Sequence, residues 1–150
     1  MRKLLLSILS SVLAFASWAG TNTLLNLDYS GLAIQGYDPV AFFTEGKPVK
    51  GTSEMTSTND GAIYRFSSKA HKDLFDTDPA KYEPEFGGYC AYGVSRNKLV
   101  EIDVEAFQIV DGRLLLQYSK RVRDQFNKAQ TVNLTKANEN WSKLVAKKRK

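Results

Sequence analysis

Cys90 and His71 are the only cysteine and the only histidine in the 150-residue chain. A single thiol admits no intramolecular disulfide. With one copy of each residue, no Cys₄, Cys₂His₂ or His₃ zinc site can be assembled. As a thiolate, Cys90 could ligate a soft metal such as Cu(I) or act as a redox thiol. As a thiol it could be a small buried hydrophobe. No lysine or arginine follows it before Arg96. His71 could be a ligand or a general base, or a hydrogen-bonded residue on a helix flank. Gly87-Gly88 lets the backbone turn sharply or approach something closely, either a ligand or the packed Phe86 and Tyr89. Tyr37 and Asp38 have a similar double reading: Asp38 beside Pro39 could cap a turn, or the pair could hold a polar ligand. No two carboxylates stand at a spacing that suits acid–base work, and there is no phosphate-binding glycine loop and no HExxH.

These residues need elements to hold them. Gly36 to Pro39 reads as a turn, because Pro39 fixes its own φ and pushes Asp38 away from helix. Val40 to Phe43 reads as a short buried strand. Thr52 to Thr58 and Ala62 to Phe66 flank Asn59-Asp60-Gly61, a hairpin with Ala62, Tyr64 and Phe66 on one face. Ser68 is an expected N-cap for a helix from Lys69 to about Thr77, with Ala70, Leu74 and Phe75 inward. Pro79 to Tyr82 adds one turn. Lys98 to Ile102 reads as a strand, and Phe107 to Val110 with Leu114 to Tyr118 flank Asp111-Gly112 in a second hairpin. Ser119 caps a helix carrying Val122, Phe126 and Ala129, with Asp124 and Lys128 as an i,i+4 pair. A last helix carries Leu134, Ala137, Trp141, Leu144 and Val145. The reading finds no internal repeat. The expected class is α+β: a small antiparallel sheet of hairpins, one central helix, and C-terminal helices packed against it.

Arg2 and Lys3, the apolar stretch Leu4 to Ala16 and the small residues of Ser17-Trp18-Ala19 predict a signal peptide over residues 1–19, cleaved after Ala19. The stretch is shorter than the ~20 residues of a membrane span. The expectation is therefore export to the periplasm or beyond, with no stable span after cleavage. One domain follows over 20–145, then a basic tail over 146–150. Removing Arg2 and Lys3 takes the basic residues from 21 to 19, against 16 acids. Five of those 19 are Lys143, Lys147, Lys148, Arg149 and Lys150, so the body itself carries two more acids than bases. That balance, with no binding motif, argues against nucleic acid.

Tyr37-Asp38-Pro39-Val40, Asn59-Asp60-Gly61, Tyr64-x-Phe66-x-Ser68 and Phe75-x-x-Asp78-Pro79-x-x-Tyr82 occur in that order at short spacing. Together they resemble the YHS domain. Gly87 to Ser95, Val110-Asp111-Gly112, Leu114 to Ser119 and Asn138-x-Asn140-Trp141 are similar to its exported single-domain branch. The resemblance spans roughly Gly31 to Leu144 and implies metal binding, with copper a candidate, through cysteines after Asp-Pro-Val, after Tyr-x-Phe and in the following helix. The matching positions here are Ala41, Ser67 and the neighbourhood of His71, and Arg65 stands in the place of the family's histidine.

The leading expectation is a non-enzymatic exported binding protein for a metal ion or small molecule, its site drawn from Tyr37, Asp38, Tyr64, Tyr89, Cys90 and Tyr92. Cys90 and His71 are the candidate metal ligands. One alternative is a thiol or acid–base enzyme using Cys90 or His71. Another is an interaction module docking through the C-terminal helix around Trp141.

Overall fold

The computed structural model describes residues 24–148; the expected leader, residues 1–19, lies outside them. After a bridge between Leu27 and Ala33, the chain makes a tight turn at Ile34–Gly36 and a short helix α1 at Ala41–Thr44. A hairpin, β1 (Thr52–Asn59) and β2 (Ala62–Phe66), leads into helix α2 (Lys69–Thr77). Helix α3 (Pro79–Tyr82) leads to a second tight turn at Glu85–Gly88 and helix α4 (Ala91–Ser95). A second hairpin, β3 (Asp103–Val110) and β4 (Arg113–Gln117), leads into α5 (Lys120–Asn127), and α6 (Gln130–Lys148) closes the described chain. The architecture is α+β, with two antiparallel hairpins and a C-terminal helix that packs on α4 and α5.

The element order occurs twice, which corrects the expectation of no internal repeat. In β1–β2 the partners are Thr52 with Phe66, then Thr56 with Arg65 through Asn59 with Ala62, with a bulge between. In β3–β4 they are Asp103 with Gln117, then Phe107 with Leu116 through Val110 with Arg113, again with a bulge between. Every partner is displaced by 51 positions. Both hairpin turns place Asp-Gly at positive φ, at Asp60-Gly61 and Asp111-Gly112. Both following helices are capped by serine: Ser68 Oγ accepts from His71 N–H at 3.1 Å and Ser119 Oγ from Val122 N–H at 3.2 Å. Asp38 N–H donates to Val49 O at 2.8 Å, and Cys90 N–H to Val100 O at 3.0 Å. The parallel bridge Leu32–Ile63 has its counterpart in Pro84–Leu114. Residues 32–77 and 84–128 are thus two copies of one unit.

The copies stack. Ala62, Tyr64 and Phe66 of β2 point with Phe42 and Phe75 into a core that the second copy completes with Cys90, Ile102, Val104, Leu114 and Leu116. Leu115, between those two leucines, points the opposite way. It joins Phe86, Ala91, Val94, Phe126 and Ala137 in a second cluster that α6 covers with Leu134, Trp141 and Leu144. Asn140 Nδ2 donates to Val94 O and Ser95 O at 3.0 and 3.1 Å, closing the end of α4.

Four local expectations are corrected. Val40 to Phe43 enters helix α1 rather than a strand, because the Asp38 carboxylate accepts the Val40 and Ala41 amides and starts a helical turn. Lys98 to Ile102 is not a strand: Asn97 turns the chain at φ 60°, and Lys98 N–H donates to Gly93 O at 2.9 Å. On α2, Phe75 is buried but Ala70 and Leu74 face solvent, since this surface helix buries only one edge. Asp124 pairs with Arg123 at 3.5 Å instead of Lys128, which lies beyond the end of α5.

Candidate functional site

Asp38 has no exposed surface, and a buried carboxylate is costly unless donors surround it. Here five donors do. Oδ1 accepts from Val40 N–H at 2.9 Å and Ala41 N–H at 3.3 Å. Oδ2 accepts from Ser67 N–H at 2.8 Å, Ser67 Oγ at 2.6 Å and His71 Nδ1 at 2.7 Å. The carboxylate therefore ties the start of α1, the β2–α2 junction and the first turn of α2 into one node. Facing a carboxylate, His71 Nδ1 carries the proton, and Nε2 lies 3.2 Å from Thr44 Oγ1 at the surface. The His71 side chain is 15% exposed. Ala41 and Ser67, two positions singled out by the family resemblance, and His71, near the third, thus meet around one carboxylate. The residue that gathers them is Asp38.

Cys90 stands at the equivalent point of the second copy. Its Sγ accepts from Tyr118 N–H at 3.3 Å and Gly93 N–H at 3.5 Å and donates to Gln117 Oε1 at 3.3 Å. Gln117 Oε1 also accepts from Tyr92 N–H at 3.0 Å. Gln117 is fully buried, and its Nε2 meets no partner among the described residues. Val122 takes the place of His71. Cys90 is 1% exposed and borders none of the three clefts described here. Cys90 and His71 lie in different copies and share no hydrogen-bond partner. Among the described residues no three His, Cys, Asp or Glu side chains converge as a metal site would require.

Tyr64 shares the core cluster of Cys90, and Tyr37 and Tyr92 pack against that cluster, but each tyrosine has its own partner. Tyr37 lies under the Lys50 ammonium, 4.6 Å from ring centroid to Nζ. Tyr89 OH donates to Leu25 O at 3.3 Å, and burial, followed by the Glu101 charge, pushes that hydroxyl above its ordinary pKa. The Arg96 guanidinium stacks on Tyr92 at 4.9 Å. Tyr64 is 2% exposed and packs on Phe75. Cys90 lines none of the three clefts, whereas Tyr64 lines one of them.

Three clefts lie elsewhere. The first, of about 250 Å³, is bounded by Asn26, Asp28, Ile34, Gln35, Glu101 and Ile102, with Gly88 at its edge. Each copy contributes its tight turn. Both turns run through left-handed backbone: Ile34, Gln35 and Gly36 at φ 50°, 53° and 81°, and Phe86, Gly87 and Gly88 at 54°, 60° and 83°. A β-branched residue there is an outlier, and such strain persists only where the surroundings enforce it. At Gly87 the enforcement is visible: an added Cβ would come within 2.0 Å of Leu24 O, and Asn26 N–H donates to Gly87 O at 2.8 Å. Gly87 thus lets the incoming chain at Leu24 approach closely, while Gly88 lines the cleft. Gln35 Nε2 donates to Ile102 O, and Asn26 Nδ2 to both Gly88 O and Glu101 Oε2, all at 3.3 Å. The Asp28 carboxyl sits below its ordinary pKa, chiefly through the Ser30 hydroxyl and then the Leu32 amide. Sequence reasoning missed this cleft, since Gln35, Glu101 and Asn26 belong to no motif.

The second cleft, of about 230 Å³, is bounded by Tyr64, Glu83, Glu85, Phe86 and Trp141, among others. A third, apolar groove runs along Leu24, Leu99 and Leu144 beside Lys147 and Lys148. No family model, curated protein or solved structure matches the chain.

Proposed function

We propose that the chain is an exported, non-enzymatic binding module of the YHS type that takes a small polar molecule in the cleft between its two copies. The observation that carries this reading is the construction of the cleft. Two strained left-handed turns, one from each copy, meet there around carboxylates and amides. Pockets commonly lie where two structural units meet. The wall sets the acceptors Asp28 and Glu101 beside the apolar Leu27, Leu32, Ile34 and Ile102, so the ligand joins N–H or O–H donors to a small apolar body.

The donor set favours a small molecule over copper. A soft-metal site here would need Cys90, whose sulfur already engages Gln117, Gly93 and Tyr118. Titration with Cu(I) against a competing chelator separates the two: equal affinity in the wild type and Cys90→Ala removes Cys90 from any copper site. The small-molecule reading is tested by thermal-shift measurements with free amino acids, diamines and monosaccharides. At least one class should raise Tm, and Gln35→Ala with Glu101→Gln should abolish the rise. A panel that leaves Tm unmoved, or a rise that survives both substitutions, overturns it.

A further inference from the structure

The second cleft shares no lining residue with the cleft between the copies. Its walls are the aromatic side chains of Tyr64, Phe86 and Trp141 and the carboxylates of Glu83 and Glu85. The two carboxylates differ. Glu85 is bound to Arg113 at 2.8 Å, and that guanidinium lies 5.8 Å from the centroid of the Phe86 ring. This corner therefore already stabilises one positive charge with a carboxylate and an aromatic face. Glu83 has no such partner: among the described residues it pairs with no basic side chain. It is nevertheless held in place, since Asn59 Nδ2 donates to Glu83 Oε1 at 2.6 Å. Burial, then the Glu83 and Asp60 charges, raises the Tyr64 pKa, so the hydroxyl remains a neutral donor. Phe86 and Trp141 meet edge to face, 6.1 Å between centroids and 71° between planes.

A fixed, unneutralised carboxylate beside aromatic rings is the environment that recognises an organic cation. We propose that this cleft binds an alkylated ammonium group, with Glu83 supplying the charge and the partly exposed Trp141 the main contact surface, backed by the rims of the buried Tyr64 and Phe86 rings. Alkylation matters because rings offer no hydrogen-bond acceptors in the ring plane to replace the water around a bare ammonium. The cleft is small, so the ligand is a head group of choline size rather than a drug-sized molecule. A quaternary ammonium also has no N–H to give, which separates this site from the acceptor-lined cleft between the copies.

The chain reports on its own site. Trp18 and Trp141 are its two tryptophans, so Trp18→Phe in the full chain leaves Trp141 as the sole indole emitter. Choline should then change its fluorescence saturably. The neutral isostere 3,3-dimethyl-1-butanol should bind at least tenfold more weakly. Glu83→Gln, which keeps the shape and the Asn59 contact, should weaken choline at least tenfold with an unchanged circular dichroism spectrum. Glu101→Gln should leave the choline response intact, so failure of the other cleft does not decide this one. Phosphatidylcholine vesicles distinguish the sources of the group: binding to vesicles and choline assigns a lipid head group, binding to choline alone a free solute. No saturable response, an equal response to the neutral isostere, or an unaffected Glu83→Gln variant overturns the proposal.

Discussion

Asp38 and Cys90 do the same mechanical task with unequal chemistry. Each accepts the amide of the residue before the helix-capping serine, from Ser67 and from Tyr118. A buried carboxylate with five donors leaves many groups unsatisfied when removed, whereas sulfur is a weak acceptor. Asp38→Ala should therefore cost about 3–5 kcal/mol, and Cys90→Ala about 1 kcal/mol, measured by urea unfolding. Equal costs would show that the node does not organise the first copy. His71→Ala should fall between them, at about 1.5–3 kcal/mol for one hydrogen bond to a charged group. The importance of Asp38 was half legible. Its neighbour Pro39 announces a turn, but the donors from Ser67 and His71 arrive from 29 and 33 positions away. Cys90 drew attention by being unique, and uniqueness carries no geometry.

At the scale of elements, the hairpins and capped helices were readable because their signals are local. Asp-Gly suits positive φ, and serine accepts an amide three residues on. Val40 to Phe43 was not, since four apolar residues fit a strand and a buried helical turn equally. The Asp38 carboxylate settles it from outside the segment. The turn at Glu85–Gly88 can be tested at its tightest point. Gly87→Ala meets Leu24 O and a φ of 60°, so it should cost at least about 1–3 kcal/mol and speed hydrogen exchange at the Asn26 amide. Unchanged protection at Asn26 would mean that the first described residues are held by something else. The tie between α2 and β1 adds a pH dependence. Lys72, then Ser57, hold the Asp76 carboxyl below its ordinary value of 3.8. Its stabilisation is complete above that value and fades as pH falls through the lower folded one. Asp76→Asn should therefore flatten the acid limb of stability, by a small amount because the pair is largely exposed.

Across the whole molecule, the duplication hid because environment rewrote its side chains. β2 is buried on one face and alternates, Ala62-Ile63-Tyr64-Arg65-Phe66. β4 has the other copy on one face and the Glu85–Gly88 turn, α4 and α5 on the other, with α6 beyond them, so Leu114-Leu115-Leu116 is apolar throughout. Equal backbones under unequal solvent exposure leave few shared letters: Gly-Tyr, Asp-Gly, the capping serine with its lysine, and Phe75 with Phe126. The same asymmetry makes α6 the cover for the second copy. Trp141→Ala, which uncovers Phe86, should cost about 3–5 kcal/mol, read from thermal or urea unfolding. A cost under about 1 kcal/mol would place α6 outside the cooperative unit. Because each half carries its own hairpin, capped helix and junction residue, the peptide backbone between them is a convenience of synthesis. A nick in the segment around α3 would yield two polypeptides able to recognise one another through the surfaces they already share. That makes this scaffold a natural candidate for fragment complementation.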